Sequence, residues 1–204
     1  MSDFIFCFDL DATVTKVEIL PEIAKHLPQD DLGEKMRQIT ERTMAGELPF
    51  EESFRSRVNI LLQVPVTTVR EIIARVPVHE EMVAFIREHA DRCYIVTGNL
   101  DIWICDLMER MGLKPDHVLC SHATVQDDKI VSVDEVIDKG KAIAALPRPF
   151  VAIGDGNNNA EMVGAADVGI GFGGVREIAP SVLNNATHAV YTEEKLCQFL
   201  RRLL

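Results

Sequence analysis

The sequence predicts an α/β protein in which a helical bundle interrupts a parallel sheet. Three observations carry this. Short apolar runs at residues 4–8, 93–96 and 150–153 each end in polar residues, as strands buried on both faces do. From residue 15 to about 78 the apolar spacing is helical and no strand pattern intervenes. From Val78 onward helix and strand patterns alternate, which is the signature of a parallel sheet. The chain therefore divides into a core, 1–14 with 79–204, and an inserted cap, 15–78.

Taken in order, residues 4–8 form the first strand and run straight into Asp9 and Asp11. A first helix takes 17–24, with Pro21 in its opening turns, where a missing N–H is tolerated. A second covers 30–45 and stops at Gly46. A third runs over 50–62 behind Pro49, with Phe54, Val58, Leu61 and Leu62 at helical spacing. A fourth spans 67–76, capped by Thr67 or Thr68. In the core, a helix at 80–89 leads to a strand at 93–97, and a helix at 101–111 closes at Gly112. A short strand at 118–121 precedes a hairpin over 122–136 that turns at Asp127-Asp128-Lys129. Strand 150–154 leads to a helix from about 158 to 165. Two short strands, 168–171 and 188–191, and a helix over 193–203 complete the chain.

Composition narrows the function classes. With 47% hydrophobic residues and no apolar run as long as a membrane span, the chain reads as globular, with no membrane partner. Residues 4–8 meet acid too soon for a secretory leader, so a cytoplasmic location is expected. A formal charge of −11 argues against nucleic acid as a partner and leaves small anions open, since local charge decides their binding. Five cysteines without a C-x-x-C spacing, two of them inside predicted strands, suit reduced thiols. No pattern fixes an oligomeric state.

Asp9 and Asp11 fall at the C-terminal end of the first strand, the edge where open α/β sheets bind ligands. Neither has a basic neighbour in sequence. Two anions so close call for a cation, and oxygen ligands suit Mg²⁺. Alone, the pair also reads as an ordinary turn. The second run ends in Thr97-Gly98-Asn99, and the third in Gly154-Asp155-Gly156-Asn157-Asn158-Asn159. Lys139 lies between them, in Asp138-Lys139-Gly140-Lys141.

Asp-x-Asp-x-Thr at 9–13, then Thr97, Lys139 and Gly-Asp-Gly at 154–156, follow the order of the haloacid dehalogenase superfamily. The chain resembles the phosphoserine phosphatase branch of that superfamily over nearly its whole length. The likeness includes a helical cap with Glu18, residues 44–53 and Arg55-Ser56-Arg57-Val58, and the tail at 179–183. The resemblance implies a Rossmann-like core and a Mg²⁺-dependent phosphomonoester hydrolase that works through an aspartyl-phosphate. It makes Asp9 the nucleophile, Asp11 the general acid and base, and Lys139 the group that neutralises phosphate. Thr97 and the Gly98 N–H would bind phosphate oxygens. Asp9, the Asp11 carbonyl and Asp155 would hold Mg²⁺. Asn158 would face the substrate, a small phosphorylated metabolite with phosphoserine the leading choice. Glu18 would pair with its ammonium and Arg57 with its carboxylate, under an apolar wall of Met44 and Phe50.

Read from the residues alone, plainer roles stay open. Lys141 competes with Lys139, Thr97 suits any strand, and the three asparagines suit a helix start. Glu18 and Arg57 suit a solvated helix face, and Met44 and Phe50 a core. The chain departs from the branch at Asn99, where another glycine is usual, at Asn159 in the place of a second Asp, and at Ala12. Asn99 is expected to reach into the pocket and to join the substrate-binding residues. A related metabolite phosphatase or a phosphotransferase is the enzyme alternative. A phosphoacceptor signalling module is the non-enzyme one, disfavoured by the cap and by a carboxylate two residues after the nucleophile.

Overall fold

Strand β1 (Ile5–Phe8) is Ile-Phe-Cys-Phe, and all four residues are buried. Phe6 and Phe8 enter one apolar cluster and Ile5 and Cys7 another, so both faces of the strand are covered. The computed structural model describes residues 4–26, 30–44 and 47–204, without the side chains of residues 30, 31 and 44.

The chain then builds four helices before its next strand: α1 (Ile19–Ala24), α2 (Asp30–Met44), α3 (Phe50–Leu61) and α4 (Val66–Ile73). Helix α5 (Glu80–Glu88), strand β2 (Cys93–Leu100), helix α6 (Asp101–Arg110) and strands β3 (Val118–Gln126) and β4 (Lys129–Glu135) follow. The rest alternates: α7 (Lys139–Ile143), β5 (Phe150–Gly154), α8 (Ala160–Ala165), β6 (Val168–Phe172), α9 (Pro180–Asn185), β7 (His188–Val190) and α10 (Glu193–Leu200).

The seven strands form one sheet in the order β4-β3-β2-β1-β5-β6-β7, parallel except where β4 folds back on β3. β1 pairs with β2 on one side (Phe6 with Cys93) and β5 on the other (Phe6 with Val151). The chain thus reverses its direction of growth across the sheet at β1. The C-terminal ends of β1, β2 and β5 meet at that point, where a crevice opens. The expected α/β architecture is present.

Several boundaries differ from the expected ones. β2 extends to Leu100, because Leu100 pairs with Ser121 beyond an irregularity after Val96. β3 is one strand from Val118 to Gln126, parallel to β2 in its first half and antiparallel to β4 in its second. The last helix stops at Leu200, and residues 157–159 form a single tight turn before α8. Helix α4 begins one residue early, at Val66, with no capping bond from its own flank. Its free N–H groups are instead met by the hairpin tip. Asp128 accepts from Val66 N through its carbonyl (2.8 Å) and from Thr67 N through its carboxylate (3.0 Å), and Thr67 Oγ1 donates to Asp128 Oδ2 (2.6 Å). Gly46, expected to stop α2, lies outside the described residues.

The helices α1–α4 lie over the crevice. Their apolar residues, among them Ile19, Ile23, Phe54, Val58, Leu61 and Val69, are continuous with the cluster that holds Phe6 and Phe8. Phe85 of α5 anchors that cluster. Its ring meets Phe6 edge-on at 5.2 Å and Phe8 at 6.3 Å. Phe85→Ala should therefore cost about 3–5 kcal/mol of stability. Urea denaturation should show a lower midpoint with an unchanged slope.

Candidate active site

Directly after β1 the backbone leaves the sheet in a wide turn over Leu10–Val14. Thr15 N donates to the Leu10 carbonyl (2.9 Å), and Ala12 adopts the left-handed conformation at φ 54°. This turn, rather than strand alternation, brings Asp9 and Asp11 to one cavity. The cavity measures about 280 Å³. The core contributes Asp9, Asp11, Gly98, Asn99, Asn157, Asn158 and Arg176 to its wall. The helical layer contributes Glu18, Leu20, Thr40, Thr43, Leu48, Phe50, Phe54 and Arg57.

Lys139 is the first residue of α7 and is only 5% exposed. Asp138 fixes the start of that helix by accepting from Lys141 N. Lys139 Nζ reaches Asp9 Oδ1 (2.5 Å) and Asn159 Oδ1 (2.7 Å). Lys141 is exposed and paired with Asp138, so Lys139 is the lysine in the site. Asn159, fully buried, returns Nδ2 to Asp9 Oδ2 (2.8 Å) and more loosely to Asp155 Oδ1 (3.4 Å). It stands at the N-cap of α8 but makes no side-chain capping bond there.

Asp155 ends β5 with no exposed surface. Its Oδ2 accepts from Arg176 Nε, and Arg176 Nη1 pairs with Glu18 (2.5 Å). Arg176 was not expected from the sequence. It sits in the loop after β6, at the same sheet edge as Asp9, and its position after Gly173-Gly174 at a strand end was the available signal. Asp11 is gripped from two sides: Ile19 N donates to Oδ1 (2.9 Å) and Asn99 Nδ2 to Oδ2 (2.5 Å).

Thr97 stands beside Asp11, and Arg57 and Phe50 line the cavity. Thr97 is fully buried, with its hydroxyl 3.4 Å from Asp11 Oδ2 and accepting from Asn99 N (3.1 Å). Arg57 is buried rather than solvated and faces Glu18 and Asp11 across the cavity. Phe50 stacks on Phe54 and presses on Gly98, where a Cβ would collide with its ring. Met44 ends α2, and its side chain lies outside the described residues.

This crowding shifts the acidities. Burial, then Glu18 and Asp9, push the Asp11 carboxyl up to about 7, against the opposing pull of the Ile19 N–H and Lys139. Burial and Asp9 push Asp155 up to about 7, against Arg176. Burial pulls Arg57 down while Glu18 and Asp11 hold it up. Burial also opposes the charge on Arg176, but Glu18 and Asp155 hold its pKa above the ordinary guanidinium value.

The buried carboxylates of Asp9 and Asp155, bridged by one amide nitrogen, form a donor set that fits a hard divalent cation. Among the described residues no third acidic, His or Cys side chain completes such a group, so a further ligand has to come from main chain or water.

The sequence model of the haloacid dehalogenase-like hydrolases matches residues 6–158. A phosphoserine phosphatase of Methanocaldococcus jannaschii is 30% identical over 180 residues, covering 81% of this chain and 83% of that protein. One of Archaeoglobus fulgidus is 26% identical over 93% of this chain, which spans 56% of that longer protein. Among solved structures, a substrate-bound phosphoserine phosphatase complex superposes with a TM-score of 0.76 at 26% identity, over 95% of this chain and 96% of that one.

The raised pKa values set a stability trend. Asp155 binds its proton more tightly folded than unfolded, so its contribution is fully present below about pH 4 and lost as pH rises through about 7. In protein stripped of divalent cations, the unfolding free energy should fall more steeply between pH 5 and 7.5 than in Asp155→Asn. Urea denaturation at the two pH values measures the slopes, and parallel slopes would refute the assignment.

Proposed function

We propose that this chain, which belongs to the haloacid dehalogenase-like hydrolases, hydrolyses a small phosphate monoester, with O-phosphoserine as its substrate. The observation that carries the reading is one cavity in which Asp9 and Asp11 face Glu18 and Arg57. The core side of that wall suits a phosphate. The opposite side offers one anion and one cation, matching an ammonium and a carboxylate on the same small molecule. The phosphoserine phosphatases similar to this chain support the same choice.

Asp9 attacks phosphorus, and the bond from phosphorus to the serine oxygen breaks. Asp11 gives its proton to the departing oxygen, which leaves as the serine hydroxyl. Its raised pKa suits this, because a carboxyl near 7 still holds a proton at neutral pH. Water then attacks the aspartyl-phosphate and loses a proton to Asp11, and the Asp9–phosphorus bond breaks. Lys139 remains against Asp9 through both steps and balances charge on the nucleophile and the phosphate. Asp9, Asp155 and the Asp11 carbonyl would hold Mg²⁺, which when bound masks the negative charge that otherwise repels a carboxylate nucleophile. The substrate ammonium shares Glu18 with Arg176, and the substrate carboxylate meets Arg57. Phe50 and Phe54 close the apolar side.

Asp9→Asn should lower phosphoserine turnover by at least about 1000-fold, and because it leaves the buried Lys139 without its carboxylate the melting temperature should fall while the protein stays folded at the assay temperature. Steady-state kinetics and circular dichroism check both, and a rate within tenfold of the parent would remove Asp9 from the mechanism. Glu18→Gln and Arg57→Ala should each cut kcat/KM for phosphoserine by roughly 30- to 1000-fold, the loss of one desolvated charged contact. A small substrate lacking both groups, such as acetyl phosphate, should be spared. A panel of phosphorylated metabolites that ranks another compound well above phosphoserine would replace the substrate.

A further inference from the structure

Asn99 is a costly residue for its position. It is 1% exposed, and its amide nitrogen donates to Asp11 Oδ2 at 2.5 Å. Its amide oxygen is buried with no hydrogen-bond partner among the described residues. An unpaired buried amide oxygen destabilises the fold, and an apolar residue of the same shape would remove that cost. What an apolar residue could not supply is the bond to Asp11.

That bond has no substitute nearby. Asp11 Oδ1 is taken by the main-chain N–H of Ile19 at 2.9 Å. Near Oδ2, the Thr97 hydroxyl donates only at 3.4 Å, too long for a strong hydrogen bond. The short hold on Oδ2 is therefore Asn99's alone among the described residues. With Ile19 it fixes both oxygens, and so the plane of the carboxyl.

We propose that Asn99 is a positioning residue that aims the Asp11 carboxyl at the leaving oxygen of the substrate. The proposal rests on the reading that Asp11 hands a proton to that oxygen. As the phosphorus–oxygen ester bond breaks, the proton passes from Asp11 to the departing oxygen, and in the second half-reaction Asp11 takes one from water. An amide N–H can hold Oδ2 in both states, because an oxygen that carries a proton keeps a lone pair to accept with. Asn99 thus steers the transfer without touching the proton.

The test compares leaving groups that need the proton with one that does not. In single-turnover measurements of aspartyl-phosphate formation with Mg²⁺, Asn99→Leu should slow phosphoserine about 10- to 100-fold. It should slow p-nitrophenyl phosphate less than about threefold, because nitrophenolate leaves unprotonated. KM should stay within threefold, and the melting temperature should hold or rise as the unpaired oxygen is removed. Equal losses for the two substrates, a loss confined to KM, or no loss would each overturn the proposal. If Asn99→Leu does not fold, Asn99→Ala is read in the same way. If the parent does not turn over phosphoserine, that overturns the substrate reading alone. The comparison then runs between phenyl phosphate and p-nitrophenyl phosphate, where the same unequal loss supports Asn99 and an equal one overturns it.

Discussion

Asp9 lies at the end of the central strand with 4% of its surface exposed, and a carboxylate taken that far from water costs several kcal/mol unless a cation meets it. Lys139 is that cation, at 2.5 Å and equally buried. Much of the local architecture serves this pair. The long β3–β4 hairpin returns the chain from the sheet edge, α7 starts where the lysine can reach across, and Asp138 fixes that start. Asn159 closes the arrangement by accepting from Lys139 and donating to Asp9. A second Asp in its place would bring another negative charge against Asp9 and Asp155, which already oppose each other. The amide keeps the geometry and lowers the charge.

The second electrostatic balance joins core and cap. Arg176 lies between Asp155 and Glu18, so the residue that answers the buried core carboxylate also holds the first cap carboxylate in place. The cavity therefore does not present bare anions to a phosphate. Its carboxylates are interleaved with Lys139, Arg176 and Arg57, so the local charge differs from that of a protein of net charge −11.

The strand ends were legible in the sequence because buried parallel strands are short apolar runs, and the residue that follows each has to face the crevice. Asp9, Asp11 and Asp155 were found that way, with Lys139 placed by the motif order. Arg176 was not, since it follows no apolar run of its own and its partners lie 21 and 158 residues away in sequence. The environment of Asn159 was equally hidden. Its place below β5 depends on Gly154, where a Cβ would stand 2.7 Å from the asparagine side chain. The capping of α4 by Asp128 was misplaced for the same reason: helix-start rules look along the chain, and this partner comes from a hairpin 61 residues later.

The bonds of Asp11 explain why the cap and the chemistry cannot be separated. Helix α1 begins without a capping side chain of its own, and its first N–H is satisfied by Asp11 Oδ1. Moving α1 away from the core would free that N–H and release one side of the carboxyl. Helix α4 is likewise fixed, by Asp128 at its start and by the bidentate pair of Arg70 with Asp106 of α6. Helix α3 joins the core through its buried Phe54, Val58 and Leu61, through Phe50 on Gly98 and through Arg55 donating to the Val133 carbonyl. The part of the cap that positions Asp11 is thus tied to the core at main-chain level. The face that lines the cavity is joined to the core through side chains: the Phe50 ring, the Arg55 bond and the apolar packing of Phe54.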